Sequence, residues 1–263
     1  MINIILRTCL DSELEKKLNN DFTRICGSNR RDMITRCLLS LISSMKKCVV
    51  NTKLTILDDN SVEDFVEELH ILTQDINCEI IRLETPDNIK RFNYSAYQQF
   101  KIASEVDSLV YVVEDDYLHD ENALNEMHSA YHHMCQRFAG NKIKIYPFDC
   151  PFRYDPGKEE ANFLLYSGIR YWRTVSNTTY TFFTSSNVIK SNFSMYEKLA
   201  LLYPNENEGT TINTLYRSFG KLDGDVTVFS PIPSLAYHLS YQEPTVIMTD
   251  TLQWRDIWNR YQK

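Results

Sequence analysis

The sequence predicts an α/β fold built on a mostly parallel central sheet flanked by helices. Three observations carry that prediction. Short apolar stretches alternate with amphipathic stretches four times in the first 140 residues. Three of those apolar stretches end abruptly in charged or polar residues. The chain of 263 residues holds only 7 glycines and 8 prolines, with no low-complexity linker and no internal repeat. Alternation of this kind implies βαβ units with right-handed crossovers. The missing linker argues for one domain over residues 1–263, with a first half to about residue 140 and a second half from 141.

Each element follows from local pattern. Residues 2–6, INIIL, read as a short buried strand. In NRRDMITRCLLSLISSMKKC, Met33, Ile34, Cys37, Leu38, Leu41 and Ile42 recur at helical spacing. Lys53–Leu57 form a second strand, followed by the turn formers Asp58, Asp59, Asn60 and Ser61. SVEDFVEELHILTQD places Val62, Phe65, Val66 and Leu69 on one helical face. CEIIRLE is a third strand, NYSAYQQFKIASEV a helix, SLVYVVEDD a fourth strand and DENALNEMHSAYHHMCQRF a helix.

The second half changes character. YWRTVSNTTYTFFTSSNVI alternates and is rich in Thr, Tyr and Phe, which suits a smaller antiparallel portion. SNFSMYEKLALLY and GTTINTLYRSF read as helices, and DVTVFSPIPSLAYHL as a strand broken by prolines. The tail TLQWRDIWNRYQK is an amphipathic helix carrying Trp254 and Trp258.

Composition narrows the function classes. The net charge of -7 weighs against a duplex nucleic acid partner, which usually meets a basic face. Seven cysteines lie scattered with no C-x-x-C pair, as expected of reduced thiols in a cytoplasmic protein rather than a disulfide scaffold or zinc site. The N-terminus lacks a basic region before its short apolar run, so no signal peptide is expected. No apolar stretch approaches the roughly 20 residues of a membrane span.

The candidate chemistry sits at strand ends. In open parallel sheets ligands bind beyond the carboxyl ends of the strands. Arg7 and Thr8 end the first strand, Asp58 and Asp59 the second, and Glu114, Asp115 and Asp116 the fourth. Three adjacent carboxylates repel one another unless a cation sits among them or they fan into water. One reading is a hard divalent ion shared with phosphate oxygens; the other is an acidic turn capping the next helix. Asp58 or Asp59 could accept hydrogen bonds from a nucleobase or ribose, or could simply cap a helix. His128 and His132 stand four apart, but no acid or cysteine follows at ligand spacing, so an ordinary helix face is expected there. The interleaved Arg, Lys and aromatic residues of 152–174 suit sugar stacking and also single-stranded nucleic acid.

LTILDDNSVEDF, then YQQFKIASEVDSLVYVVEDDYLHDENAL, in this order over residues 2–130, resembles the family 2-type glycosyltransferases of the GT-A (Rossmann-like) fold. The resemblance implies transfer of a hexose or pentose from a nucleotide-diphosphate sugar, a UDP-sugar first, to a hydroxyl acceptor, with Mn²⁺ or Mg²⁺. It implies that Arg7, Thr8, Asp58 or Asp59, Glu114 and Asp115 cradle the nucleotide. Asp116 and Glu114 then take the metal-binding places of the DxD-type motif. SPIPSLAYHLS is similar to the PSLxxH segment of metal-dependent members, which nominates His238 as a further ligand. An inverting member needs a carboxylate base at the start of a late helix; Glu206 and Glu208 in YPNENEGTTINTLY are the candidates. The acceptor is expected to be a glycan or another hydroxyl compound. A modified base in DNA is permitted by the 152–174 segment and opposed by the net charge. The rivals are a nucleotidyltransferase, which the glycine-free RTCLDSELEKK after the first strand argues against, and a non-catalytic nucleotide-sugar-binding protein.

Overall fold

The computed structural model describes residues 1–12, 29–140, 142–154, 161–178, 180–217, 224–239 and 251–262. Cys26, most of the loop after the first strand, residues 155–160 of the aromatic segment and the end of GTTINTLYRSF lie outside the described residues.

Four strands form the parallel half of the sheet: β1 (Ile2–Thr8), β2 (Thr52–Asp58), β3 (Cys78–Arg82) and β4 (Leu109–Glu114). They lie in the order β3-β2-β1-β4, all parallel. Between them run α1 (Arg30–Lys47), α2 (Glu63–Thr73) and α3 (Arg91–Glu105). All seven residues of β1 are buried, because helices cover both faces and a central parallel strand then reads as a continuous apolar run. The chain leaves β1 to one side for β2 and returns on the other side as β4. This reversal opens a crevice between the carboxyl ends of β1 and β4. Gln99 of α3, fully buried, donates its amide to Ile5 O (2.8 Å) and Val113 O (2.9 Å) and so ties β1 to β4 just below that crevice.

The second half extends the same sheet rather than making a separate one. After β5 (Tyr117–His119) and α4 (Ala123–Arg137) come β6 (Lys142–Ile145), β7 (Leu164–Tyr166), β8 (Tyr171–Thr174) and β9 (Phe182–Ser185). They are followed by α5 (Ser186–Lys190), α6 (Phe193–Leu202), β10 (Tyr216–Arg217), β11 (Val226–Ile232) and β12 (Ala236–His238). The large sheet continues β4-β9-β6-β11-β8-β7, with β10 on β11. β9 is antiparallel to both β4 and β6, and β8 is antiparallel to β11 and β7. The expected antiparallel portion is therefore woven into one mixed sheet.

Two local readings differ from expectation. GTTINTLYRSF is not an α-helix: only a short 3-10 turn spans Ile212–Leu215 before β10. Asn207 accepts from the amides of Gly209 and Thr210, and the Thr211 hydroxyl donates to Asn207 O over 2.6 Å. Side-chain bonds of this type give the backbone an alternative to a helix, and β-branched residues do not favour one. Nor do the three acids cap α4. β5 intervenes, and the start of α4 is bonded by Asp120, through Asn122 N, and by Ser44, through Leu124 N.

The tail helix α7 (Thr251–Arg260) docks as its pattern predicts: Trp254, Ile257 and Trp258 are buried. Arg36 of α1 donates to Trp258 O (3.0 Å) and lies 4.3 Å over its ring. Trp254 packs against Tyr237 of β12, which places the tail behind the strand that carries His238.

Candidate active site

The carboxyl edge of the parallel strands gathers Arg7, Thr8, Asp58, Asp59, Glu114, Asp115 and Asp116. Their partners separate them into distinct roles. Glu114 faces Arg7 at 2.8 Å. Burial pushes the Glu114 carboxyl up, and Arg7 only partly offsets this. Arg7 is itself held flat, 4.4 Å over the Phe92 ring and 5.2 Å from that of Tyr180.

Asp115 turns the other way. It accepts from the Thr8 hydroxyl (2.8 Å) and the Cys9 amide (3.2 Å), and pairs with Arg30 at 2.6 Å. Burial alone would lower the Arg30 pKa, but Asp115 and Asp116 more than reverse that, so the guanidinium is held firmly charged. Asp115 thus clamps the end of β1 to the end of β4 and to the start of α1.

Asp116 stands just outside β4, and β5 explains its partner. β5 pairs with β12 in antiparallel register, Tyr117 opposite His238. The register sets the His238 ring parallel to that of Tyr117 at 4.6 Å and puts His238 Nε2 3.0 Å from Asp116 Oδ2. Burial would lower the imidazole pKa, yet Asp116 and then Glu114 raise it above the ordinary value. Two residues 122 positions apart are thereby brought together at the crevice.

On β2, Asp58 is fully buried and accepts from the Ser61 amide (3.1 Å), with Arg82 at 3.3 Å. Asp59 sits beyond it, its amide donating to Thr8 O (2.9 Å) and its carboxylate 3.4 Å from Arg91. Asn60 adopts φ 63°, a left-handed turn that asparagine tolerates. The Cys9 thiol, between Arg91 and these acids, is pushed up to about 12, chiefly by burial, which makes it a poor nucleophile.

Glu206 and Glu208 lie half-buried in the loop after α6, outside any helix. Glu208 is the foremost charge acting on the Tyr180 phenol, which Arg7 and Glu114 also reach. Glu208 is therefore within electrostatic reach of Tyr180, and of the buried Tyr216 as well. His128 and His132 bond to each other (3.1 Å) on the outer face of α4, away from the crevice.

No family model and no curated protein sequence matches the chain. Solved structures do. The crystal structure of S. aureus TarS shares 18% identity over 96% of this chain, with a TM-score of 0.50. TarS 1-349 shares 15% over 99% of this chain and 71% of its own length, again with a TM-score of 0.50. The chain spans 38% of the length of the TarS chain. At such identity the likeness is one of fold. The chain has the GT-A fold.

In this GT-A sheet, the acids at the strand ends, Arg7 and His238 are visible in the sequence, whereas Arg30 and Arg91, the partners of Asp115 and Asp59, are not. Arg30 is the main omission. An arginine in the first turn of a helix opposes the helix dipole, and that misfit is a signal that a specific anion awaits it. Tyr180 carries no such signal, because it lies in a Thr- and Tyr-rich stretch whose alternation indicates only strand.

The fit of a divalent ion rests on the donor set. Among the described residues no group of three or more His, Cys, Asp or Glu side chains is arranged to hold a metal. A pair is present: the Asp116 carboxylate and the His238 imidazole. Mg²⁺ and Mn²⁺ are commonly held by one or two protein groups, with substrate phosphates and water completing the shell. The pair fits that pattern, while Glu114 is engaged by Arg7 and Asp115 by Arg30.

Proposed function

We propose that the chain is a glycosyltransferase that moves a sugar from a nucleotide-diphosphate donor, UDP-linked, to a hydroxyl acceptor such as a glycan. The observation that carries this reading is the Asp116–His238 pair at the β1/β4 crevice, directly beside the Thr8–Asp115 clamp. In it, Asp59 and Thr8 meet the base and ribose, with Asp58 shaping the turn that presents Asp59. Arg30 and Asp115 fix the floor of the diphosphate site. Asp116 and His238 hold Mn²⁺ or Mg²⁺, which when bound offsets the charge of the diphosphate as a Lewis acid.

Glu208 is the base of choice over Glu206, because Glu208 is the one that acts on the crevice residue Tyr180. It takes the proton of the acceptor hydroxyl as that oxygen bonds to the anomeric carbon. The bond from that carbon to the diphosphate oxygen breaks, and the nucleoside diphosphate leaves with its electron pair. Attack from the face opposite the leaving group inverts the anomeric centre.

A thermal-shift screen of nucleoside diphosphates and their sugars, with and without Mn²⁺, tests the reading. A ligand that binds only the folded state at 100 times its Kd stabilises by about 2.7 kcal/mol, several degrees in a domain of this size. The expected result is such a shift with UDP or a UDP-sugar, and only with metal. No shift with any nucleotide would overturn the assignment.

A further inference from the structure

The Tyr180 hydroxyl is buried without a hydrogen-bond partner, although its residue is only 4% exposed and lies at the crevice. Its ring is held on all sides. It stacks on Phe100 (5.7 Å between centroids, 15° apart), meets Phe92 edge-on (5.6 Å) and carries the Arg7 guanidinium at 5.2 Å. A buried hydroxyl left without a protein partner costs stability, and such a group takes its hydrogen bond from a water or from a ligand.

Strand order says which ligand group comes there. Along the carboxyl edge the sequence of strands is β2, β1, β4, β9, each about 4.8 Å from the next. If base and ribose lie over β2 and β1 and the diphosphate over β4, the next group of the donor lies over β9. That group is the sugar. Tyr180 stands two residues before β9; extending the Val112–Phe182 pairing by two residues sets it across from Glu114. Thr181 fixes the spot, because its hydroxyl accepts from the Glu114 amide (3.1 Å).

Resting on the proposed donor site, we infer that Tyr180 is a specificity-determining residue whose O–H donates a hydrogen bond to an oxygen of the donor's sugar ring. Burial first, and Glu208 next, push the phenol above its usual range, so it stays a donor throughout the physiological pH range. The rigid ring fixes where that oxygen must be. A sugar lacking it, or carrying it in the other configuration, leaves the hydroxyl unpaired and is rejected.

The test is calorimetric titration of UDP, UDP-GlcNAc and UDP-glucose, each with Mn²⁺, into wild type and Tyr180→Phe. Phenylalanine keeps the stacking and the Arg7 contact and removes only the hydroxyl. The expected result is UDP affinity unchanged within 2-fold and roughly 5- to 10-fold weaker binding of whichever UDP-sugar binds wild type best, the size of one lost hydrogen bond. The melting temperature of the free variant should equal or exceed that of wild type, because an unpaired buried group has gone. UDP-sugars bound equally by both proteins, or UDP and UDP-sugar weakened alike, would overturn the inference. Failure of UDP to bind wild type would instead sink the donor site itself, and this inference with it.

Discussion

Replacing Asp115 by alanine should damage the fold more than replacing its neighbour Asp116. Asp115 is 6% exposed and receives three bonds, from Thr8, from Cys9 and from Arg30, whose side chain is 13% exposed. Its loss leaves an arginine that cannot neutralise itself facing a hole, together with a buried hydroxyl and amide. Breaking a buried ion pair on one side costs about 3–5 kcal/mol. The small solvent access of Arg30 argues for the lower end, about 3 kcal/mol. A domain of this size loses about 2–4 °C per kcal/mol, so the melting temperature should fall by about 6–12 °C. Asp116→Ala leaves behind an imidazole that can shed its proton, and should cost only about 1–2 kcal/mol. Urea titration of both variants, with the slope checked for constancy, reads the difference directly. Asp115→Ala within about 1 kcal/mol of wild type would refute the view that Asp115 clamps β1, β4 and α1 together.

Glu208→Gln should lower transfer, or hydrolysis of the donor, by about 10²–10⁴-fold while Glu206→Gln leaves it nearly intact, measured as nucleoside diphosphate release; equal losses would remove Glu208 from the base role. His119 gives a pH prediction. It is fully buried against Tyr111 (2.8 Å), and burial pushes its imidazole down to about 3. The unfolded chain takes up that proton near pH 6.5 and the folded one does not, so the contribution is complete above about 6.5 and is lost as pH falls toward 3. Its full size is on the order of 5 kcal/mol, and His119→Gln should flatten the acid slope of the urea midpoint.

Elements with a strong period were legible in the sequence. α1 to α4 and the four parallel strands follow from apolar spacing alone, and the tail tryptophans declared a docked face. The acids at the strand ends were legible because charge is out of place after a buried strand. The division of labour among them was not, because it depends on partners brought from afar: Arg7 and Arg30 from other elements, and His238 through the β5–β12 register. β5 itself is three residues long, too short for any period to announce it. The turn at Asn207–Thr214 was misread because side-chain bonds to the backbone decide it, and helical spacing does not register them.

The most direct test of the donor site is titration of UDP into wild type and Asp116→Asn, each with Mn²⁺ and with a chelator. UDP should bind wild type at least about 10-fold more tightly with the metal, about 1.4 kcal/mol, and Asp116→Asn should lose this gain. UDP affinity that ignores both the metal and Asp116, or no UDP binding at all, would contradict the donor site.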